Sequence, residues 1–214
     1  MLARNNTYIA GSNPDIPILL IRDLLGWKFT NTRLLADHYA REVGATVYVP
    51  DFFGGETLPF EPITNGRWYE VDVPSFIKKN TRKSTFQSQD SLEALRHEIR
   101  EPKIFTCVLA LCTTYKKLGA VGFCFGGWAV FRLGAKEHEP PLVDCILAGH
   151  PTFLTKQDID EVALPVQILA PEIDPAFTRE LKIYAFERIR ELGVGVPFVY
   201  RHFSGVEHAC FVRE

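Results

Sequence analysis

The residues best spaced for chemistry lie in Gly119-Ala-Val-Gly-Phe-Cys-Phe-Gly-Gly-Trp128, where an apolar run enters a glycine-rich turn. Its centre, Gly122-Phe-Cys124-Phe-Gly126, has glycines two residues either side of a nucleophile, the spacing of a strand-to-helix elbow, with cysteine in the reactive position. An elbow of this kind holds its middle residue in a strained backbone conformation and brings strand and helix so close that the flanking glycines can carry no Cβ. The helix expected over about Gly126 to Ala135 would begin beneath Cys124, and its positive N-terminal end favours the thiolate, the reactive form. The bland alternative is a buried cysteine in a tight connection.

A nucleophilic thiol needs a base, and the base needs an acid to orient it. In an open parallel sheet, functional groups gather beyond the carboxyl ends of the strands. His38, His97 and His138 fall on or beside predicted helices and His202 within a strand, which leaves His150 and His208. Of the aspartates, Asp23, Asp51 and Asp174 follow strands, whereas Asp37, Asp90 and Asp158 belong to helices or polar loops. Cys124, Asp174 and His208 run in the order nucleophile, acid, base. His208 would move the proton while Asp174 holds its tautomer and stabilises the imidazolium. His150 precedes the acid and is read as structural or pocket-lining. The backbone amides of Phe125 and Leu24 are the expected oxyanion donors.

The elements that must position these groups alternate along the chain. An apolar strand over Ile16 to Ile21 is followed by a loop, a helix over Thr32 to Val43 capped by Asn31 and stopped by Gly44, and a strand over Ala45 to Val49. Residues 51 to 100 read as an irregular lid or insert, with a solvated part at 81 to 100 that has a helical pattern near its end. A helix over about Pro102 to Leu118, with Cys107 and Cys112 in the core, leads to the elbow strand. Strands over Val143 to Ala148, Val166 to Ala170 and Phe198 to Phe203 follow, with a helix over Ala176 to Leu192 before the last. Six strands alternating with helices predict a doubly wound, mostly parallel sheet with helices on both faces.

With 214 residues, 46% hydrophobic content and a net charge of −2, the chain suits one domain over residues 1–214 with a sizeable core. It has no long apolar segment, secretory leader or basic stripe, so the expectation is a soluble, cytoplasmic protein that binds neither membrane nor nucleic acid. The five cysteines include no C-x-x-C pair, which points to reduced thiols and away from a zinc site or disulfide framework.

The stretches LLIRDLLGW, NTRLLADHYA, VYVPDFFGGE, VGFCFGGWAV, EIDPAF and GVEHA resemble the dienelactone hydrolase family of α/β hydrolases, in particular its fungal-type members. The resemblance runs from about Tyr8 to the C-terminus. It implies a Cys-His-Asp hydrolase acting on dienelactones or related small lactones and esters without metal or organic cofactor, and it maps the nucleophile to Cys124, the acid to Asp174 and the base to His208. Bacterial members of the family carry a glutamate after the first buried strand that interacts with the resting thiol, where this chain has Asp23. Arg213 is the best match for a substrate-carboxylate arginine, with Arg67 second. Family members continue into a final helix, whereas this chain ends six residues after His208. The expected final helix is thus missing, and a monomer or weak homodimer is expected. A fold-preserving binding protein without activity and a thiol redox sensor remain as alternatives.

Overall fold

Residues such as Leu19, Leu20 and Ile21, apolar on successive positions, can only be satisfied by a strand covered on both faces. The computed structural model describes residues 1–65, 67–80, 100–193 and 197–211, and places that run at the heart of a seven-stranded sheet. Its strands are β1 (Thr7–Ala10), β2 (Pro17–Ile21), β3 (Thr46–Pro50), β4 (Gly119–Phe123), β5 (Cys145–Gly149), β6 (Val166–Ile173) and β7 (Phe198–Glu207), in the order β1-β3-β2-β4-β5-β6-β7. All neighbours pair in parallel except β1, which runs antiparallel to β3 at one edge. The chain winds outward from β2 to β3 and then returns to place β4 on the other side of β2. That reversal opens a crevice beyond the carboxyl ends of β2 and β4, where open α/β sheets bind ligands.

The helices are α1 (Thr30–Glu42), α2 (Phe60–Thr64), α3 (Val73–Asn80), α4 (Glu101–Cys112), α5 (Phe125–Leu133), α6 (Lys156–Asp160) and α7 (Arg179–Glu191), with a 3-10 turn at Trp68–Glu70. Alternation along β2 and β4 divides the core into two layers. Leu19, Ile21 and Ala120 join a large cluster with side chains of α4, α5 and α7, while Leu20, Val121 and Phe123 face Ala36 of α1 on the other side. In α5 every side chain but Arg132 is fully buried. Arg132 meets Glu101 at 2.6 Å and Glu161 at 3.3 Å, and also pairs with Glu137, so the helix beneath the elbow is tied to the start of α4 and the end of α6. Among the described residues no helix is long and apolar enough to cross a membrane.

Four expectations change. A seventh strand, β1, forms from Thr7-Tyr-Ile-Ala10, too short and too close to polar residues to announce itself, and it is held by pairing with β3. Asn31 lies inside α1 rather than capping it. The cap position is Phe29, and the buried Thr32 hydroxyl donates to the Gly26 carbonyl at 3.3 Å, tying the helix start to the preceding loop. The helix expected to reach Leu118 ends at Cys112, where the Thr114 and Tyr115 amides both turn back onto the Leu111 carbonyl. Cys112 and Cys145 are exposed and only Cys107 is a core thiol, because Cys112 falls on the outer face of α4 and Cys145 on the solvated first residue of β5. The helical pattern read near residues 91 to 99 lies outside the described residues.

Candidate active site

Strand register delivers the candidate groups to one edge. Ile21 pairs with Gly122 and Phe123 with Gly149, so Arg22, Asp23, Cys124 and His150 emerge together, and Ile173 opposite Glu207 brings out Asp174 beside His208. Cys124 has φ 54° and ψ −113°, a left-handed strained conformation for a residue with a Cβ. A Cβ on Gly122 would lie 1.9 Å from the Gly126 carbonyl oxygen, and one on Gly126 would lie 2.0 Å from that of Ile21. The elbow is held by Cys124 N–H donating to Gly149 O at 3.0 Å, and by the amides of Gly127 and Thr152 donating to Cys124 O at 2.9 Å each.

His208 Nδ1 and Asp174 Oδ1 are 2.9 Å apart, and Asp174 also accepts from the amides of Ala176 and Phe177 at 2.9 Å. Burial by itself would raise the Asp174 carboxyl, but the His208 hydrogen bond and charge and the two amides outweigh it and hold the group below the usual carboxylate range. For His208 burial opposes the charged form, yet hydrogen bonds to Asp174 and Cys124 and the charges of both push it up to about 10. The Thr152 hydroxyl lies between thiol and imidazole, 3.2 Å from Cys124 Sγ and 3.5 Å from His208 Nε2.

His150 is fully buried, with its ring edge against His208 at 4.7 Å between centroids and its face stacked on Phe211 at 5.6 Å. Neither ring nitrogen has a partner among the described residues. Burial, followed by the charge of His208, depresses it to about 3, so it is neutral. Cys124, His150 and His208 bring one sulfur and two ring nitrogens within 4.8 Å of one another, a donor set that could hold a divalent ion such as zinc.

The backbone amides of Leu24 and Phe125 donate to no other described residue, and Leu24 and Cys124 both border a cavity of about 600 Å³. Asp23 also borders it, but its Oδ1 is engaged by the Leu25 amide at 2.9 Å and by Arg22 Nη2 at 3.0 Å. Arg67 pairs with Glu61 and Glu70 instead of facing the cavity. Arg213 lies outside the described residues. Two residues near the thiol escaped the sequence reading: Thr152, whose only signal is its place just after the β5 strand end, and Arg22, a charged residue closing a buried strand. Arg22 is 3% exposed, and burial lowers its guanidinium against the opposing charges of Asp23 and Cys124.

Comparison with known proteins agrees with this architecture. The chain is 27% identical over 212 residues to the hydrolase tropI of Talaromyces stipitatus, covering 97% of this chain and 75% of that protein. It is 27% identical over 210 residues to the mouse carboxymethylenebutenolidase homolog, covering 97% and 76%. Among solved structures it resembles carboxyl esterase 2 of Tuber melanosporum, with TM-score 0.63 and 12% identity over 99% of this chain and 77% of that one. It also resembles a dienelactone hydrolase-like promiscuous phosphotriesterase from metagenomic libraries, with TM-score 0.54 and 17% identity over 92% and 73%. These two likenesses speak to the fold alone. The family model of the dienelactone hydrolases matches residues 6–214, and the chain belongs to the dienelactone hydrolase family of α/β hydrolases.

Proposed function

We propose that this hydrolase cleaves a small lactone or ester through an acyl-cysteine intermediate, with Cys124 as nucleophile, His208 as general base and acid, and Asp174 as the group that orients His208. The observation that carries this reading is the 2.9 Å contact between His208 Nδ1 and Asp174 Oδ1, with the other imidazole nitrogen turned toward the strained Cys124 elbow. With His208 cationic and Cys124 as thiolate, the sulfur attacks the substrate carbonyl carbon. The carbonyl electron pair moves onto its oxygen, which the amides of Phe125 and Leu24 receive. As the carbonyl re-forms, the carbon–oxygen bond of the ester breaks and His208 gives its proton to the departing alkoxide. In a lactone that oxygen stays tethered to the acyl group.

Neutral His208 then takes a proton from water. The resulting hydroxide adds to the thioester carbonyl, the carbon–sulfur bond breaks, and the acid leaves with the thiolate and imidazolium restored. Cysteine suits the second half because thiolate is a good leaving group. A nucleophilic sulfur held beside a base is also reactive toward alkylating agents. Iodoacetamide should therefore modify Cys124 faster than Cys107, Cys112, Cys145 and Cys210, and Cys124→Ala should abolish ester turnover. Slow, even labelling of all five thiols, or an active alanine variant, would refute the assignment.

A further inference from the structure

We infer that the cavity beside Cys124 selects uncharged lactones and esters with an apolar acyl part and discriminates against carboxylate-bearing ones. This rests on the reading of Cys124 as nucleophile and adds the substrate class. The apolar wall of the cavity is formed by Leu25, Leu58, Ile63, Val73, Phe153 and Ile173. Leu25, Leu58 and Ile63 are buried in the core cluster, so this wall continues the protein interior, while Ile173 is 55% exposed at the rim.

The charged groups that border the cavity among the described residues are Asp23, Glu207 and His208. Two are carboxylates, Asp23 being paired with Arg22 at 3.0 Å, and the third, His208, is paired with Asp174 at 2.9 Å, so none offers a substrate an uncommitted positive charge. Arg22 pairs with Asp23 and does not border the space. A substrate carboxylate entering here would lose its hydration to aliphatic carbon. An alkyl or aryl acyl group exchanges water for that same carbon and gains about fourfold in binding per methylene buried.

The test compares para-nitrophenyl acetate, butyrate and hexanoate with the para-nitrophenyl monoester of adipate, which has the hexanoate chain length and a terminal carboxylate. The expected result is a kcat/KM that rises about three- to fourfold per methylene up to hexanoate, with the adipate monoester at least about tenfold below hexanoate. Val73→Lys, at the half-buried start of α3, should narrow or reverse that ratio. Preference for the adipate monoester, or a flat chain-length profile, would overturn the inference and leave the hydrolase reading intact. Binding to Cys124→Ala is read separately, by the thermal shift produced by hexananilide and by adipic monoanilide. Stabilisation by the neutral anilide alone, with no turnover of any ester by the wild type, would support the cavity's selectivity and refute the hydrolase reading. Stabilisation by the acid, by both equally or by neither would refute the selectivity itself.

Discussion

The Thr152 hydroxyl stands 3.2 Å from the Cys124 sulfur, and the Thr152 amide donates to the Cys124 carbonyl at 2.9 Å, so the loop after β5 grips the elbow residue at both its side chain and its backbone. The same hydroxyl reaches toward His208 Nε2 at 3.5 Å. It can donate to the sulfur when that is a thiolate. A hydrogen bond to a charged group contributes about 1.5–3 kcal/mol. Thr152→Val should therefore lower kcat roughly 10- to 100-fold with little change in KM, and should slow the alkylation of Cys124 by iodoacetamide. Thr152→Ser should restore both. An unchanged alkylation rate in the valine variant would remove Thr152 from the site's chemistry.

Asp174→Asn keeps the shape and discards the charge. Without the carboxylate His208 loses its first source of stabilisation, and its pKa should fall from about 10 toward the ordinary imidazole range in an NMR titration. Activity should drop about 10²- to 10⁴-fold, the scale seen when an orienting acid is neutralised. Because the folded pKa of His208 is raised, its contribution to stability is complete below about pH 6.5 and is lost as pH rises toward about 10. The variant should show a flatter decline of urea stability over that alkaline window.

His150 has the opposite sign. It is neutral in the fold with a pKa depressed to about 3, whereas the unfolded chain takes up its proton below about pH 6.5. Stability from this residue is present above that pH and is lost as the medium is acidified toward 3, a contribution on the order of 5 kcal/mol. His150→Phe, which keeps an aromatic ring against Phe211, should move the midpoint of acid unfolding to lower pH, measured by circular dichroism. A midpoint that stays put would mean that another buried group governs the acid limb.

Two glycine substitutions separate the elbow from the rest of β4. A Cβ on Gly126 meets the Ile21 backbone oxygen at 2.0 Å, where nothing can give way without moving the sheet, while one on Gly119 meets Cys145 Sγ at 3.5 Å, an ordinary contact. Gly126→Ala should cost about 4 kcal/mol or more and compromise folding, and Gly119→Ala should stay within about 1 kcal/mol of wild type, both read from denaturant melts.

Much of the architecture was legible along the chain. The apolar runs before Arg22, Pro50, Cys124 and His150 are strands that only a doubly covered sheet can satisfy, and the pair Gly122 and Gly126 marks a crossing too tight for a Cβ. These signals are local: each depends on neighbours a few residues away. Strand ends and chain order point to Asp174 and His208, and the register of β6 against β7 brings them to 2.9 Å.

What needed the folded chain is everything set by partners distant in sequence. The four residues of β1 become a strand only because β3 offers them a free edge, and Cys112 and Cys145 turn outward although their segments are largely apolar. Thr152 gains its place from a loop that crosses over the elbow, and Asp23 is drawn into a pair with the buried Arg22. The apolar character of the cavity belongs to side chains gathered from separate stretches of chain, from Leu24 to Ala209. Composition and periodicity report which residues must leave water. Only packing decides which of them meet, because the contacts that shape a site are closed by loops whose ends no local pattern can see.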